Sequence, residues 1–169
     1  MQQLTKYFKL QNGETIDIIQ HTLNNLINHS PLSIFIGSDS QVYGGIVRYI
    51  TAIVYKYGNR GAHYVFNMDE IPRMKDDFLR LYNEGARTVE TYEILSSAIP
   101  VNILMEFDYA NIKKTLSSPL VGAFKGWPNA RFKGGEMFST KAADWICRNY
   151  SEITSQWRKE DVKLHLRIA

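Results

Sequence analysis

The fold of this chain is best read from residues 32–41, which run Leu32-Ser33-Ile34-Phe35-Ile36-Gly37-Ser38-Asp39-Ser40-Gln41. Three apolar residues in succession, Ile34 to Ile36, indicate a strand that is buried on both faces. Asp39 follows this run, and an ionised carboxylate there costs free energy unless a partner neutralises it. The stretch therefore predicts a central strand that delivers an acidic side chain to one edge of a sheet.

A second apolar segment repeats this arrangement. Residues 101–107 read Val-Asn-Ile-Leu-Met-Glu-Phe and lead directly to Asp108. Two neighbouring carboxylates repel each other unless they share a proton or a cation, and hard divalent cations prefer oxygen ligands. We therefore expect Asp39 and Asp108 to form part of a divalent-metal site. The alternative for Asp39 is a strand-end residue that accepts hydrogen bonds from nearby backbone N–H groups.

Length and composition predict a single globular domain over residues 1–169. Hydrophobic residues make up 44% and charged residues 22%, as in ordinary soluble domains. The aromatic share of 12% excludes a disordered chain. Charged residues interrupt every apolar run, Cys147 is the single cysteine and the N-terminus lacks an apolar signal region. Together these features predict a cytoplasmic protein without a membrane span or a disulfide.

Basic residues are concentrated in residues 111–148. This stretch has seven basic side chains against two acidic ones, a net charge of +5, and aromatic residues are interleaved with them. Such a pattern suits a polyanion such as nucleic acid. The alternative is that the aromatic residues belong to the core and the lysines to a solvated face.

Hydrophobic periodicity and turn residues predict an alternation of strands and helices. The expected strands are 32–39, 46–57, 62–68, 101–107, a short one near 131 and an alternating edge strand at 162–168, and the expected helices are 15–28, 73–98, about 112–124 and 138–149. The first three core strands are joined by tight turns, which predicts an antiparallel meander. The long helix lets strand 101–107 return parallel to strand 32–39 by a right-handed crossover. The C-terminal strand is suited to pair with a partner.

The order of these strands and helices, with the short motifs they contain, resembles the ribonuclease H-like fold, and in particular the YkuK-type ribonuclease H-like family. The resemblance rests on the following segments: Ile36-Gly37-Ser38-Asp39-Ser40-Gln41, the hairpin glycines Gly58 and Gly61, Thr88-Val89-Glu90, the strand ending at Asp108, Lys113-Lys114-Thr115, and Lys133 leading into Ala142-Ala143-Asp144. It implies an α/β fold with a mixed five-stranded sheet, made of the antiparallel meander plus parallel strands and flanked by helices. The core would span about 32–149, with an N-terminal helix and a C-terminal extension.

The resemblance also implies a site. Ribonuclease H-like enzymes hold two Mg²⁺ or Mn²⁺ ions with carboxylates from the first strand, the first helix, the fourth strand and the last helix. By position the metal-binding and catalytic residues would be Asp39, Glu90, Asp108 and Asp144. Glu93 is the alternative to Glu90, and a solvated helix surface is the alternative for both Glu90 and Asp144.

Further residues are assigned as supporting groups. Lys113, Lys114 and Lys133 are the expected contacts to nucleic acid. Glu106 stands two residues before Asp108, where this family often has histidine, and residues two apart in a strand share a face. We expect Glu106 either to support the metal site or to be held by a nearby basic side chain.

The implied function is a metal-dependent nuclease that hydrolyses phosphodiester bonds with two metal ions. The first alternative is a non-catalytic nucleic-acid-binding or interaction module that keeps the fold. The second is a phosphotransferase of the actin-like branch, which is disfavoured because glycine-rich phosphate loops are missing from the sequence.

Overall fold

A computed structural model of the protein describes residues 6–29, 32–109, 118–132 and 136–168. Within these ranges the elements in chain order are β1 Tyr7–Lys9, β2 Thr15–Asp17, α1 Ile18–Asn28, β3 Ser33–Tyr43, β4 Ile46–Lys56, β5 Ala62–Pro72, α2 Asp77–Ser96, β6 Ile103–Phe107, α3 Ser118–Phe124, β7 Ala130–Phe132 and α4 Ser139–Ile168. Across the same ranges no helix combines the length and the apolar character needed to cross a bilayer.

The described strands form one mixed sheet in the order β2-β1-β5-β4-β3-β6-β7. Strands β3, β4 and β5 make the predicted antiparallel meander, and β6 pairs in parallel with β3. The α/β class and the mixed sheet are thus confirmed. The sheet has seven strands rather than the expected five, because β1 and β2 form a hairpin that adds to the edge of β5.

The N-terminal hairpin corrects the interpretation of residues 15–28 as helix throughout. Helix α1 begins only at Ile18, where the side chain of Asp17 caps it by accepting hydrogen bonds from the backbone N–H groups of Ile19 and Gln20. The turn before β2 contains Asn12-Gly13, and Gly13 has a φ of 91°. Asn-Gly is a strong hairpin signal that the helical pattern obscured.

The C-terminal segment also differs from its prediction. Residues 162–168 belong to helix α4 and do not form an edge strand, so a pairing strand for a partner is absent from this part of the described chain. Strict alternation over seven residues favours a strand when it is read alone, but this segment directly continues a helix. From Ser139 to Ile168 the chain has no glycine or proline, so nothing in it stops a helix that has already formed.

Two layers of helices cover the sheet and give its two faces different chemistry. Side chains at even positions of β3, such as Ile34 and Ile36, pack into a core with α1 and the end of α2. On the opposite face, Ile50, Ala52 and Phe66 pack against α4. Because side chains alternate along a strand, Asp39 points toward α4 while Ser40 points toward α2. The predicted site therefore lies where β3 emerges between the two helices.

Candidate active site

Asp39 lies within β3, which continues to Tyr43, so this aspartate is not at the strand end. Its side chain is half-buried and lies beside the carboxyl of Asp144. Burial and the neighbouring carboxyl groups of Asp144 and Asp108 raise the pKa of Asp39 to about 7. Two carboxylates this close repel each other unless they share a proton or a cation. The structure therefore places three of the predicted aspartates close enough to interact electrostatically.

These aspartates line an open cavity of about 390 Å³ between the sheet and α4. Its walls are formed by Asp39, Gln41, Asp108, Met137, Thr140, Lys141, Asp144 and Arg148. Within the described residues, the buried Oδ2 atom of Asp39 has no hydrogen-bond partner. A buried polar atom without a partner is costly, and this one belongs to a side chain that lines a cavity with other carboxyl groups.

Asp144 is the cavity residue with the clearest cationic partner. Its Oδ1 atom accepts a hydrogen bond from Nε of Arg148 at 2.8 Å and a long one from Nε2 of Gln41 at 3.5 Å. Arg148 is one helical turn further along α4, and Lys141 is one turn before Asp144. The carboxylates of the cavity are thus bordered by two positive charges on the same helix.

The helix carboxylate nearest to these aspartates is Glu84. It lies on the buried stripe of α2 with Thr88, Thr91 and Leu95, at helical spacing. Burial, together with the charges of Asp39 and Asp108, raises the pKa of Glu84 to about 8. The Ser40 hydroxyl and the Arg80 guanidinium oppose this shift, since Ser40 donates a hydrogen bond to Glu84 and Arg80 Nη1 lies 3.7 Å from its Oε1.

Glu90, the predicted helix ligand, occupies a different side of α2. It follows Glu84 by six residues, which is about 9 Å along the helix and about 120° around its axis. The structure therefore brings Glu84 toward the aspartates. The spacing of Glu84 from Thr88, Thr91 and Leu95 was a usable signal for this position, because i, i+4, i+7 and i+11 define one helix face. The role of Glu90 stays a prediction.

Glu106 has hydrogen-bond partners that the sequence analysis did not predict. It is completely buried, and Gly37 on β3 is its neighbour in the sheet. Its carboxylate accepts hydrogen bonds from the backbone N–H of Phe138 at 3.0 Å, the N–H of Ser139 at 2.6 Å and the Ser139 hydroxyl at 2.5 Å. These donors lie at the beginning of α4, where helix N–H groups lack partners. Glu106 is therefore held by a helix N-terminus rather than by a basic side chain.

Close packing makes this contact possible. A Cβ atom at Gly37 would lie 2.6 Å from the Ser139 Oγ and 2.9 Å from the Thr140 backbone nitrogen. Glycine at this position lets α4 approach β3 closely enough to meet Glu106. Since Asp144 is five residues beyond Ser139 on the same helix, this contact also fixes the height of Asp144 above the sheet.

The predicted nucleic-acid contacts cannot be placed. Lys113, Lys114 and Lys133 lie outside the described residues. Lys141 and Arg148, which the sequence analysis counted only as part of the basic stretch 111–148, are instead the cations that border the cavity.

The chemistry of the cavity fits a hard divalent cation. Its donors are carboxylate oxygens, and the unpartnered Oδ2 of Asp39 faces other acidic groups. Among the described residues, however, no three or more His, Cys, Asp or Glu side chains are grouped closely enough to hold a metal ion. A cation would thus be held first by Asp39 and Asp144, with Asp108 also lining the cavity. Glu84 lies on the α2 side of β3 and interacts electrostatically with Asp39 and Asp108.

Comparison with known proteins agrees with this architecture. The sheet contains an antiparallel meander and a parallel fourth strand, and acidic residues lie at its edge between two layers of helices. These features define the protein as an α/β protein with a site at the edge of the sheet. A family model described as ribonuclease H-like matches residues 14–117. This range is more than half of the chain, and the chain therefore belongs to the ribonuclease H-like family. It includes Asp39, Glu84 and Asp108 and ends before Asp144. No curated protein and no solved structure matches the chain.

Proposed function

We propose that this protein is a divalent-metal-dependent nuclease that hydrolyses phosphodiester bonds of a nucleic acid. The observation that carries the proposal is the environment of Asp39, whose buried Oδ2 lacks a described partner beside the carboxyl groups of Asp144 and Asp108. Membership of the ribonuclease H-like family supports it.

In this proposal Asp39 and Asp144 are the principal metal ligands, and Asp108 and Glu84 complete the acidic set. When bound, Mg²⁺ or Mn²⁺ supplies Lewis acidity to the phosphate and to the attacking water. Lys141 and Arg148 offer hydrogen-bond donors to phosphate oxygens at the rim of the cavity. The buried network of Ser40 and Arg80 fixes the side chain of Glu84 on the opposite side of β3.

The test is cleavage of end-labelled single-stranded, duplex and hybrid oligonucleotides in Mg²⁺ or Mn²⁺. We expect Asp39→Asn and Glu84→Gln each to lower the cleavage rate by at least about a hundredfold. Loss of a group that only supports a metal ligand lowers activity by up to about a hundredfold, and loss of a ligand should lower it at least as much. Glu90→Gln is the matched control on the same helix, and its rate should stay within about threefold of wild type, because Glu90 lies about 120° around α2 from Glu84. Equal losses in Glu84→Gln and Glu90→Gln would contradict the assignment of Glu84.

The non-catalytic alternative is favoured by one observation, the absence of a grouped set of three metal ligands in the described residues. Calorimetric titration with Mn²⁺ separates the two functions. A nuclease should take up Mn²⁺ in a manner that Asp39→Asn abolishes. A protein that binds nucleic acid but takes up no Mn²⁺ and cleaves no substrate would be a binding module, and the nuclease proposal would be withdrawn.

A further inference from the structure

Trp145 differs from the other two tryptophans of the chain in its surroundings. Trp157 stacks on Phe66 and donates a hydrogen bond from Nε1 to the Gln11 carbonyl at 2.6 Å. Trp127 packs edge-to-face against Tyr92. Trp145 instead leaves 53% of its surface exposed. Tryptophan is highly buried on average, so a half-exposed indole on a long helix calls for an explanation.

The neighbours of Trp145 on α4 are positively charged. Lys141 lies four residues before it and Arg148 three residues after it, so the three side chains share the exposed face of the helix. Lys141 and Arg148 also line the cavity that contains Asp39 and Asp144. The Arg148 guanidinium has five N–H donors, of which the ion pair with Asp144 uses Nε. The other N–H groups of the Arg148 guanidinium are on a side chain that is exposed to solvent.

A cation, an indole and a second cation in sequence along a helix match the repeating unit of a nucleic-acid strand. The cations are complementary to phosphates, and the indole is complementary to the face of a base. Base faces are accessible in single strands, whereas in a duplex each base is stacked between its neighbours. An exposed indole beside phosphate-binding cations therefore favours an unpaired nucleotide over a double helix.

We propose that Lys141, Trp145 and Arg148 form a binding surface for single-stranded nucleic acid, with a base stacked on Trp145 and its flanking phosphates on the two cations. This inference rests on the proposed nuclease function and names its substrate class, since the surface directs a single strand into the carboxylate cavity. A duplex would meet the same indole with no base face to offer it.

Binding is measured without divalent metal, so that it is independent of cleavage. Fluorescence anisotropy of labelled oligothymidylate, oligouridylate and a blunt duplex of equal length gives the affinities, and intrinsic tryptophan fluorescence gives a second readout. We expect the wild-type protein to prefer the single strands. Trp145→Ala should weaken single-strand binding about tenfold and abolish most of the fluorescence quenching, while Trp145→Phe should retain binding because phenylalanine also stacks.

Two further variants make the test specific. Lys141→Gln should reduce the slope of log affinity against log salt by about 0.7, the value for one phosphate contact to a single strand. Tyr82→Ala removes a similarly exposed aromatic side chain from α2 on the opposite side of the sheet, and its affinity for single strands should equal that of wild type.

The outcomes separate this inference from the nuclease proposal. Unchanged single-strand binding in Trp145→Ala, equal losses in Trp145→Ala and Tyr82→Ala, or a wild-type preference for duplex would overturn the binding surface, even if the protein cleaves nucleic acid. Trp145-dependent binding of single strands without any cleavage in Mg²⁺ or Mn²⁺ would uphold the surface and overturn only the nuclease.

Discussion

Glu106 and Asp39 are acidic residues on neighbouring strands of the same sheet, yet their environments are opposite. Glu106 is fully buried and accepts hydrogen bonds from the backbone of Phe138 and from both the backbone and the hydroxyl of Ser139. Asp39 is less buried, but its Oδ2 has no described partner, and burial together with the neighbouring carboxyl groups raises its pKa to about 7. Glu106, the more deeply buried carboxylate, is therefore the one with hydrogen-bond partners.

The difference shows that burial alone does not identify a functional carboxylate. A helix N-terminus carries a partial positive charge and unpaired N–H donors, so it stabilises Glu106 without any ligand. Asp39 faces acidic groups across a cavity that is open to solvent, and its charge remains unbalanced. We therefore assign Glu106 to the stability of the fold and Asp39 to the proposed function.

The largest effect on stability is expected for Glu106→Gln. The substitution removes the negative charge and turns amide hydrogens toward the N–H donors of α4. We expect the free energy of unfolding to fall by about 2–4 kcal/mol, as measured by urea denaturation. Glu90→Gln, a half-buried change on α2, should stay within about 0.5 kcal/mol of wild type. A Glu106→Gln protein as stable as wild type would break the comparison, and so would a folded variant with weakened Mn²⁺ binding.

The next effect is expected for Gly37→Ala, which separates α4 from β3 without changing any charge. The added Cβ would lie 2.6 Å from the Ser139 Oγ, so the helix N-terminus must move away from Glu106. Overpacking of this kind costs about 1–3 kcal/mol. The double variant with Glu106→Gln should lose less than the sum of the two single losses, because both changes disturb one contact. Additive losses would show that the two residues act independently.

Asp39→Asn should change the free energy of unfolding in the opposite direction. In metal-free buffer near pH 8, the amide removes a charge that repels Asp144 and Asp108, and we expect stability to be unchanged or to rise by about 1 kcal/mol. The same urea denaturation measures it. A loss as large as that of Glu106→Gln would show that the Asp39 carboxylate is a structural partner after all.

The pH dependence of wild-type stability sharpens this result. The pKa of Asp39 in the folded state, about 7, lies above its ordinary value of 3.8, so the folded state binds this proton more tightly. The stabilisation that comes from binding this proton is complete below the ordinary pKa of 3.8 and is lost as the pH rises through about 7. The advantage of Asp39→Asn over wild type should therefore grow between pH 5 and about 8. Excess Mg²⁺ should abolish that growth by binding the ionised carboxylates.

The smallest effect is expected at His21 and His63, whose Nε2 atoms lie 2.8 Å apart between α1 and β5. Burial lowers the pKa of both rings below 6.5, and the charge of His21 further lowers that of His63. Their stabilising contribution is complete above pH 6.5 and is lost as the pH falls, with a size under about 1 kcal/mol after solvent screening. His63→Gln should flatten the acid side of the profile in urea denaturation. If the decline of stability at low pH were unchanged in this variant, that decline would have to come from other titratable groups.

Much of the site could be predicted from local sequence. Buried strands with short turns define the meander and the parallel return of β6, because these features depend on neighbouring residues. Asp39 and Asp108 were predicted for the same reason, each next to a recognisable strand, and Asp144 was predicted from the resemblance to the ribonuclease H-like family. Glu84 was missed because α2 contains several acidic residues, although Glu84 shares a helix face with Thr88, Thr91 and Leu95. Its contacts with Ser40 and Arg80 distinguish it as the one that faces the sheet.

The sequence by itself determined the order of the core strands and placed Asp39 and Asp108 after buried strands, while the family followed from the resemblance of its motifs. The strand order follows from hydrophobic period and turn chemistry, which act over a few residues. Tertiary structure alone decided which carboxylates are neutralised, because the partners of Glu106 lie more than thirty residues away on α4. It also decided that residues 162–168 continue a helix. A charge and a short alternating segment have no fixed role until long-range packing supplies their neighbours.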